Sequence, residues 1–278
     1  MRISLAHSPD SDDAFMFYGL ARGKVPTDGL EIAHVLRDIE TLNQQARDGV
    51  HEVTAVSFHA YAYVGDRYAL MPCGGSIGDG YGPLLIAGER LSGSALEDGE
   101  ALVAVPGTLT TATLALRLFA PRARTRVVPF DRILDEVRAG RADAGLVIHE
   151  GQLTFAGHGL RKILDLGAWW KEQTGLPLPL GGNAVRRDLG DEMMARLTRL
   201  VRASVRYSLA HRAEALQYAL GFARGMDPAV ADRFVGMWVN EMTVDCGERG
   251  RRAVQELLAR GHAAGLIPRA VTVDFVPA

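Results

Sequence analysis

The chain has little that commits it to a metal, a membrane or a nucleic acid. Its 278 residues include two cysteines, Cys73 and Cys246, far apart and in no metal or redox spacing. Both read as buried thiols, because free cysteine packs as a small hydrophobe, and nothing demands an oxidising compartment. No run of about 18 or more apolar residues occurs, so no membrane-spanning helix is expected. The opening MRISLAHSPDSDD turns acidic before any stretch of signal-peptide length, which points to a cytoplasmic protein. Charge is balanced, with 31 basic and 33 acidic residues and a net charge of -2, and like charges never run in long blocks. That excludes a nucleic-acid or anionic-membrane footprint and leaves a small molecule as the expected partner. There is no H-E-x-x-H pair and no P-loop glycine-lysine signature, so zincin and kinase-type chemistry are not expected, nor is a serine-hydrolase elbow. The sequence is silent on oligomeric state.

What is present is a regular alternation. RISLAHS reads as a strand, and SDDAFMFYGLARG as the helix after it, with Ser11 as N-cap, Asp12 and Asp13 at the positive end of the dipole, and Gly23 as the stop. LEIAHVL is a second strand, DIETLNQQARDG a second helix with Asp38 to Thr41 capping it, and VTAVSFHAYAYV a strand that passes into a helix. A glycine-rich stretch follows, and then a strand over 83–87. ALVAVPG restarts the pattern: TLTTATLALRLFA is an amphipathic helix, TRVVPF a strand, DRILDEVRAGRAD a helix and AGLVIH a strand. Two such units imply an α/β protein of two lobes, each a mostly parallel sheet flanked by helices. Residues 191 to 266 are nearly all helix-forming, with Met194, Leu197, Leu200, Val201, Val205 and Leu209 on one face, and having no strands they should pack on the first lobe. The expected division is 1–88 for the first part of lobe 1, 89–186 for lobe 2, and 187–278 for the helices completing lobe 1.

Ligands of α/β proteins collect at the carboxyl ends of parallel strands, and four such ends carry chemistry. After ALVAV comes PGTLTTATL, where Thr110 and Thr111 offer hydroxyls beside the unpaired N–H groups of a helix start, a cradle for a carboxylate or phosphate. After the third strand stand Ser57 and His59. Ser8, with His7 beside it, follows the first strand, and its acidic neighbours lack the downstream glycine and glutamate of a calcium loop, so no metal is expected. GLVIHEGQLTF puts His149 and Glu150 at a strand end. An imidazole is the side chain suited to moving a proton near neutral pH, with Glu150 as a brace that orients it. Adjacent Trp169 and Trp170 cannot share one helix face, so one is expected in the core and the other beside the cleft, covering an aromatic ligand.

The stretches SPDSDDAFMFYGLARGKV, GDGYGPLLIA, VAVPGTLTTATL, AGLVIHEGQLTF, DLGAWWKEQTGLPLPLG and VNEMTVDCGERG together resemble the 1,4-dihydroxy-6-naphthoate synthases of the futalosine route to menaquinone. These share their fold with chorismate dehydratases and type II periplasmic binding proteins. The resemblance implies a cytoplasmic lyase that splits cyclic dehypoxanthinylfutalosine into dihydroxyacetone and the dihydroxynaphthoate, with no metal or organic cofactor. It also implies that His149 is the catalytic base and that Ser57, Thr110 and Thr111 bind substrate. The chain departs from that family at one point: SPDSDDAF stands where the family opening reads close to S-P-C-P-N-D-T-F. A chorismate dehydratase or a paralogue of altered specificity is the alternative enzyme, and a non-catalytic solute-binding protein the alternative from another class.

Overall fold

The structure is a computed structural model that describes residues 1–277 except 90, 92–94 and 97. β1 (Arg2–His7) is buried at Ile3 and continuously from Leu5 to His7, as befits an inner strand, and α1 (Ser11–Ala21) is buried along most of its length. β2 (Glu31–Leu36) pairs parallel to β1. In α2 (Ile39–Asp48) Leu42, Asn43 and Ala46 face inward. The Asp38 carboxylate accepts from the Thr41 N–H at one end, and Gly49 at φ +69° ends the helix in the left-handed conformation. β3 (Val53–Ser57), parallel to β1, runs directly into α3 (Phe58–Val64). The short strands β4 (Tyr68–Leu70) and β5 (Ser76–Gly78) follow.

The chain then crosses to a second sheet. β6 (Leu84–Ala87), β7 (Leu102–Val105), α4 (Thr111–Phe119), β8 (Arg124–Val127), α5 (Ile133–Arg138), β9 (Ala144–Val147), α6 (Gly151–Thr154), β10 (Arg161–Asp165) and α7 (Leu166–Thr174) build this lobe, with strand order β10-β6-β9-β7-β8. β11 (Leu178–Arg186) returns to the first sheet, whose order is β2-β1-β3-β11-β4 with β5 also against β11. Each sheet is a parallel trio extended by antiparallel strands: β11 runs antiparallel to β3, β4 and β5, and β6 to β9 and β10. The sheets therefore exchange strands one element earlier than the expected boundaries at 88 and 186. β6 belongs to the second sheet and β11 to the first, because both crossing strands continue into a sheet they enter from the other lobe.

The last third is helical: α8 (Asp191–Ala210), α9 (Arg212–Leu220), α10 (Pro228–Trp238), α11 (Glu241–Val244) and α12 (Gly247–Ala263). On α8, Met194, Leu197, Leu200, Val201 and Val205 are buried in a core shared with α1. Each such apolar side chain contributes about 1.5–3 kcal/mol. α12 packs on α3 and β11, and one apolar core joins Val56, Phe58 and Tyr61 of the first lobe to Leu85, Val103 and Leu114 of the second. A polar tie crosses the lobes too: the Glu40 carboxylate of α2 accepts from the Thr108 hydroxyl (3.0 Å) and the Leu109 N–H (3.1 Å). Among the described residues no helix is long and apolar enough to cross a membrane. Cys73 and Cys246 are both buried, and burial pushes their thiols up to about 12 and about 11.

Candidate active site

Between the lobes lies a concave cleft whose empty space, open mouth included, is about 760 Å³. Four strand ends meet there. Ser8 and the aspartates after β1, Ser57 at the end of β3, Thr110 and Thr111 after β7, and His149 after β9 all line it, joined by Gly181, Gly182 and Asn183 of β11. Glycine keeps that strand close to β3, since a Cβ at Gly181 would press within 3.0 Å of the Val56 carbonyl oxygen.

His149 is not on the strand itself. β9 ends at Val147, and His149 sits in the following turn at φ +61°, a left-handed conformation costly for a residue with a side chain. Gly151 lets that turn fold back, because a Cβ there would fall 2.5 Å from Val147. The imidazole Nδ1 lies 3.0 Å from Asp10 Oδ2, and its edge is packed by Phe130 with ring centroids 4.5 Å apart. A carboxylate accepts only, so Nδ1 donates its proton to Asp10; in the neutral ring that puts the lone pair on Nε2, which is buried at the cleft without a partner. Asp10, rather than the expected Glu150, is therefore what orients the ring. Glu150 accepts from Arg224 through Oε2 at 3.1 Å, and its Oε1 is unpartnered. With its carboxylate on His149 and Arg224, Asp10 occupies the N-cap position of α1 but caps nothing with its side chain. The expected cap, Ser11, is instead the first helical residue.

The opposite wall presents hydrogen-bond donors. Ser57 is gripped by Asn43: its N–H donates to Asn43 Oδ1 at 2.8 Å and its hydroxyl accepts from Asn43 Nδ2 at 3.0 Å. The serine proton remains available to a ligand. Thr110 has the capping role, its hydroxyl accepting from the Thr113 N–H (3.3 Å) and donating to the Gly107 carbonyl (3.2 Å). That leaves the Thr111 and Ala112 N–H groups at the cleft without intrahelical acceptors. Thr111 accepts from the His59 N–H at 3.1 Å and keeps its own proton.

Several expected residues stand elsewhere. His59 does not line the cleft. It ties α3 to α4, with Nδ1 donating to the Thr110 carbonyl at 3.3 Å, and burial lowers its pKa to about 4. His7 is packed on Phe17 and bonded to His34 Nδ1 at 3.1 Å, its pKa lowered to about 3 by burial and then by His34. Neither tryptophan of the pair reaches the cleft. Trp170 is fully buried with its N–H on the Pro177 carbonyl, and Trp169 packs against Phe119, whereas Phe234 and Trp238 of α10 supply the aromatic wall. Their helix follows the second lobe by dozens of residues, and only its long-range packing brings it here.

Asp12 and Asp13 add an acidic corner. Burial, then Asp13 and Asp10, pushes the Asp12 carboxyl well above the usual carboxylate range, and its Oδ1 is unpartnered. Asp13 is raised to about 7 by burial and then Asp10, while its Oδ2 accepts from the Ser8 N–H at 2.7 Å. Gln152 brings an amide to the same cleft with neither end bonded. Residues 74–78 spell G-x-S-x-G, but Ser76 opens strand β5 and pairs with Gly181. No helix follows it, so no nucleophile elbow is formed. The cleft thus offers one aimed base, a set of neutral donors for an anion, and an aromatic wall. That equipment suits proton abstraction from a bound organic acid.

A family model described as menaquinone biosynthesis matches residues 3–263. The chain is 44% identical over 264 residues to a 1,4-dihydroxy-6-naphthoate synthase of Thermus thermophilus, covering 95% of each. It is 42% identical over 276 residues to the synthase of that name from Streptomyces coelicolor, covering 96% of this chain and 95% of the relative. A crystal structure of an Archaeoglobus fulgidus protein superposes with a TM-score of 0.91 at 46% identity, over 96% of this chain and 98% of that one. The alkanesulfonate-binding protein of Xanthomonas axonopodis superposes at 0.71 with 12% identity, over 98% and 96% of the two chains, which shows a shared periplasmic-binding-protein-like fold alone.

Proposed function

Since the chain belongs to the menaquinone-biosynthesis family, we propose that it is a carbon–carbon lyase, a 1,4-dihydroxy-6-naphthoate synthase acting on cyclic dehypoxanthinylfutalosine with release of dihydroxyacetone. The observation that carries this reading is His149 Nε2, buried at the cleft and free of partners while Nδ1 is held by Asp10. In the proposed reaction the substrate carboxylate lies against the Thr111 and Ala112 N–H groups and the Ser57 and Thr111 hydroxyls, where the start of α4 favours negative charge. His149 Nε2 then takes the proton whose removal starts cleavage, and Asp10 stabilises the imidazolium that results. Phe234 and Trp238 cover the aromatic ring system. A low-dielectric cleft strengthens each of these contacts.

The test is to incubate the purified protein with cyclic dehypoxanthinylfutalosine and search for the naphthoate by mass spectrometry, beside a His149→Ala variant. The variant should lose roughly 10²- to 10⁴-fold in rate while still binding, the range for removal of a general base. Full turnover by His149→Ala would remove the histidine from the mechanism. Wild-type protein that makes no naphthoate yet yields an enolpyruvyl product from chorismate would replace the substrate assignment.

A further inference from the structure

Asp10 and His149 come from different lobes. Asp10 stands in the turn between β1 and α1 of the first sheet, and His149 in the turn after β9 of the second. Their 3.0 Å contact is thus made across the cleft. Beside it is a second cross-lobe contact. Arg224, on the connection from α9 to α10, donates to Asp10 Oδ1 at 2.9 Å and to the Pro9 carbonyl at 3.3 Å on its own lobe. Its Nη1 reaches Glu150 Oε2 of the other lobe at 3.1 Å. The guanidinium also lies 4.8 Å over the Phe130 ring, the ring that packs the edge of His149. Arg224 holds φ +50°, an uncommon conformation for a residue with a Cβ, which aims its side chain into this junction.

We propose that Asp10 is the positioning residue that arms His149, and that the base is assembled only when the lobes meet, with Arg224 as the clasp across them. This rests on the reading of His149 as the base. With the lobes together, the buried Asp10 carboxylate fixes the Nδ1–H tautomer and turns the Nε2 lone pair toward the cleft. Arg224 supplies the positive charge that offsets Asp10 and Glu150 where water is scarce. With the lobes apart, the imidazole loses its acceptor and is free to rotate and change tautomer, so proton abstraction is confined to the closed, substrate-filled state. Among the described residues no other carboxylate bonds to the ring: Asp13 accepts from the Ser8 N–H and Glu150 accepts from Arg224.

The first experiment needs no variant. ¹⁵N NMR of the histidine ring nitrogens in the full-length protein should show His149 as the Nδ1–H tautomer when the product, 1,4-dihydroxy-6-naphthoate, is bound, and as a mixture without it. An Nε2–H tautomer in the bound state would overturn the positioning role. A ring locked as Nδ1–H with and without product would overturn the dependence on closure. In kinetics, Asp10→Asn should lower kcat on the order of 10²-fold with KM changed much less, as expected when the group orienting a histidine is removed. Arg224→Gln should lower kcat in the same sense and leave the product-bound protein less compact by small-angle scattering than the wild type. An Asp10→Asn variant with wild-type kcat, in a protein that His149→Ala inactivates, would sink this inference and leave the base standing. Turnover by His149→Ala would sink the base itself.

Discussion

Asn43 offers the sharpest test of how the anion wall is held. It is fully buried on α2, and both ends of its amide are spent on Ser57, one accepting from the serine N–H at 2.8 Å and the other donating to its hydroxyl at 3.0 Å. Replacement by alanine strands that N–H at the junction of β3 and α3, where Ser57 is only 3% exposed. A buried donor left without an acceptor costs about 1–3 kcal/mol, and the volume lost with the amide adds to it, so Asn43→Ala should destabilise by about 2–4 kcal/mol. The hydroxyl itself can turn to water in the cleft, so its loss is felt in binding. A serine no longer aimed should raise KM about 5- to 30-fold, the equivalent of about 1–2 kcal/mol, with kcat changed less. Urea unfolding followed by circular dichroism gives the first quantity and steady-state kinetics the second. Unfolding within about 0.5 kcal/mol of wild type together with an unchanged KM would show that Asn43 does not hold Ser57 and that the wall is organised some other way.

Further outcomes follow from the same contacts. His7, buried with a pKa of about 3 against an ordinary 6.5, is neutral in the folded protein but protonated in the unfolded chain below about pH 6. A lowered histidine pKa gives stability that is present above 6.5 and lost as pH falls. Going from pH 7.5 to 5 should remove about 2 kcal/mol through this residue, a figure set by the distance of pH 5 from the unfolded value. Asp12 and Asp13, raised by burial, act in the opposite sense, losing stability as pH rises from about 4 toward 7. Both aspartates are common to wild type and a His7→Leu variant, so the difference between the two unfolding curves isolates the histidine, and equal pH slopes would refute its neutral burial. Thr110→Ala should cost about 1 kcal/mol of stability as a lost cap with little change in KM, whereas Thr111→Val should both raise KM and cost about 1–3 kcal/mol in unfolding, because the buried His59 N–H loses its acceptor; a raised KM for Thr110→Ala with none for Thr111→Val would exchange their roles. Gly167→Ala should destabilise by roughly 3 kcal/mol or more in thermal unfolding, because its Cβ would lie 2.0 Å from the Tyr81 carbonyl.

Much of this protein is legible from local pattern. Alternation and helical periodicity locate β1, β3, β7 and β9 and the helices after the first three, and the rule that parallel strands present ligands at their carboxyl ends is enough to gather Ser8, Ser57, Thr110, Thr111 and His149 around one cleft. The apolar face of α8 is correct at Met194, Leu197, Leu200, Val201 and Val205, with Leu209 only partly buried near the helix end, because a 3.6-residue repeat states which side must be buried. What pattern cannot state is which surface does the burying. Nothing in the local pattern of β6 or β11 names its sheet, and only the pairing of whole sheets decides that each crosses to the opposite lobe. The aromatic wall is Phe234 and Trp238 rather than the conspicuous Trp169 and Trp170, since the packing of α10 on the first lobe fixes what reaches the cleft.

The acidic turn shows the division most clearly. In sequence, Asp10 to Asp13 is a helix start with favourable charge, and that local account holds for the position of α1. In three dimensions Asp10 meets an imidazole and a guanidinium from distant parts of the chain, while burial, and after it the charge of Asp10 nearby, drives the Asp12 and Asp13 carboxyls toward the neutral form. Sequence determines which residues can adopt a conformation and which face each element must hide. The approach of one lobe to the other, a sum of many contacts far apart in the chain, decides which side chains share a low-dielectric space, and with it their charge and their chemistry.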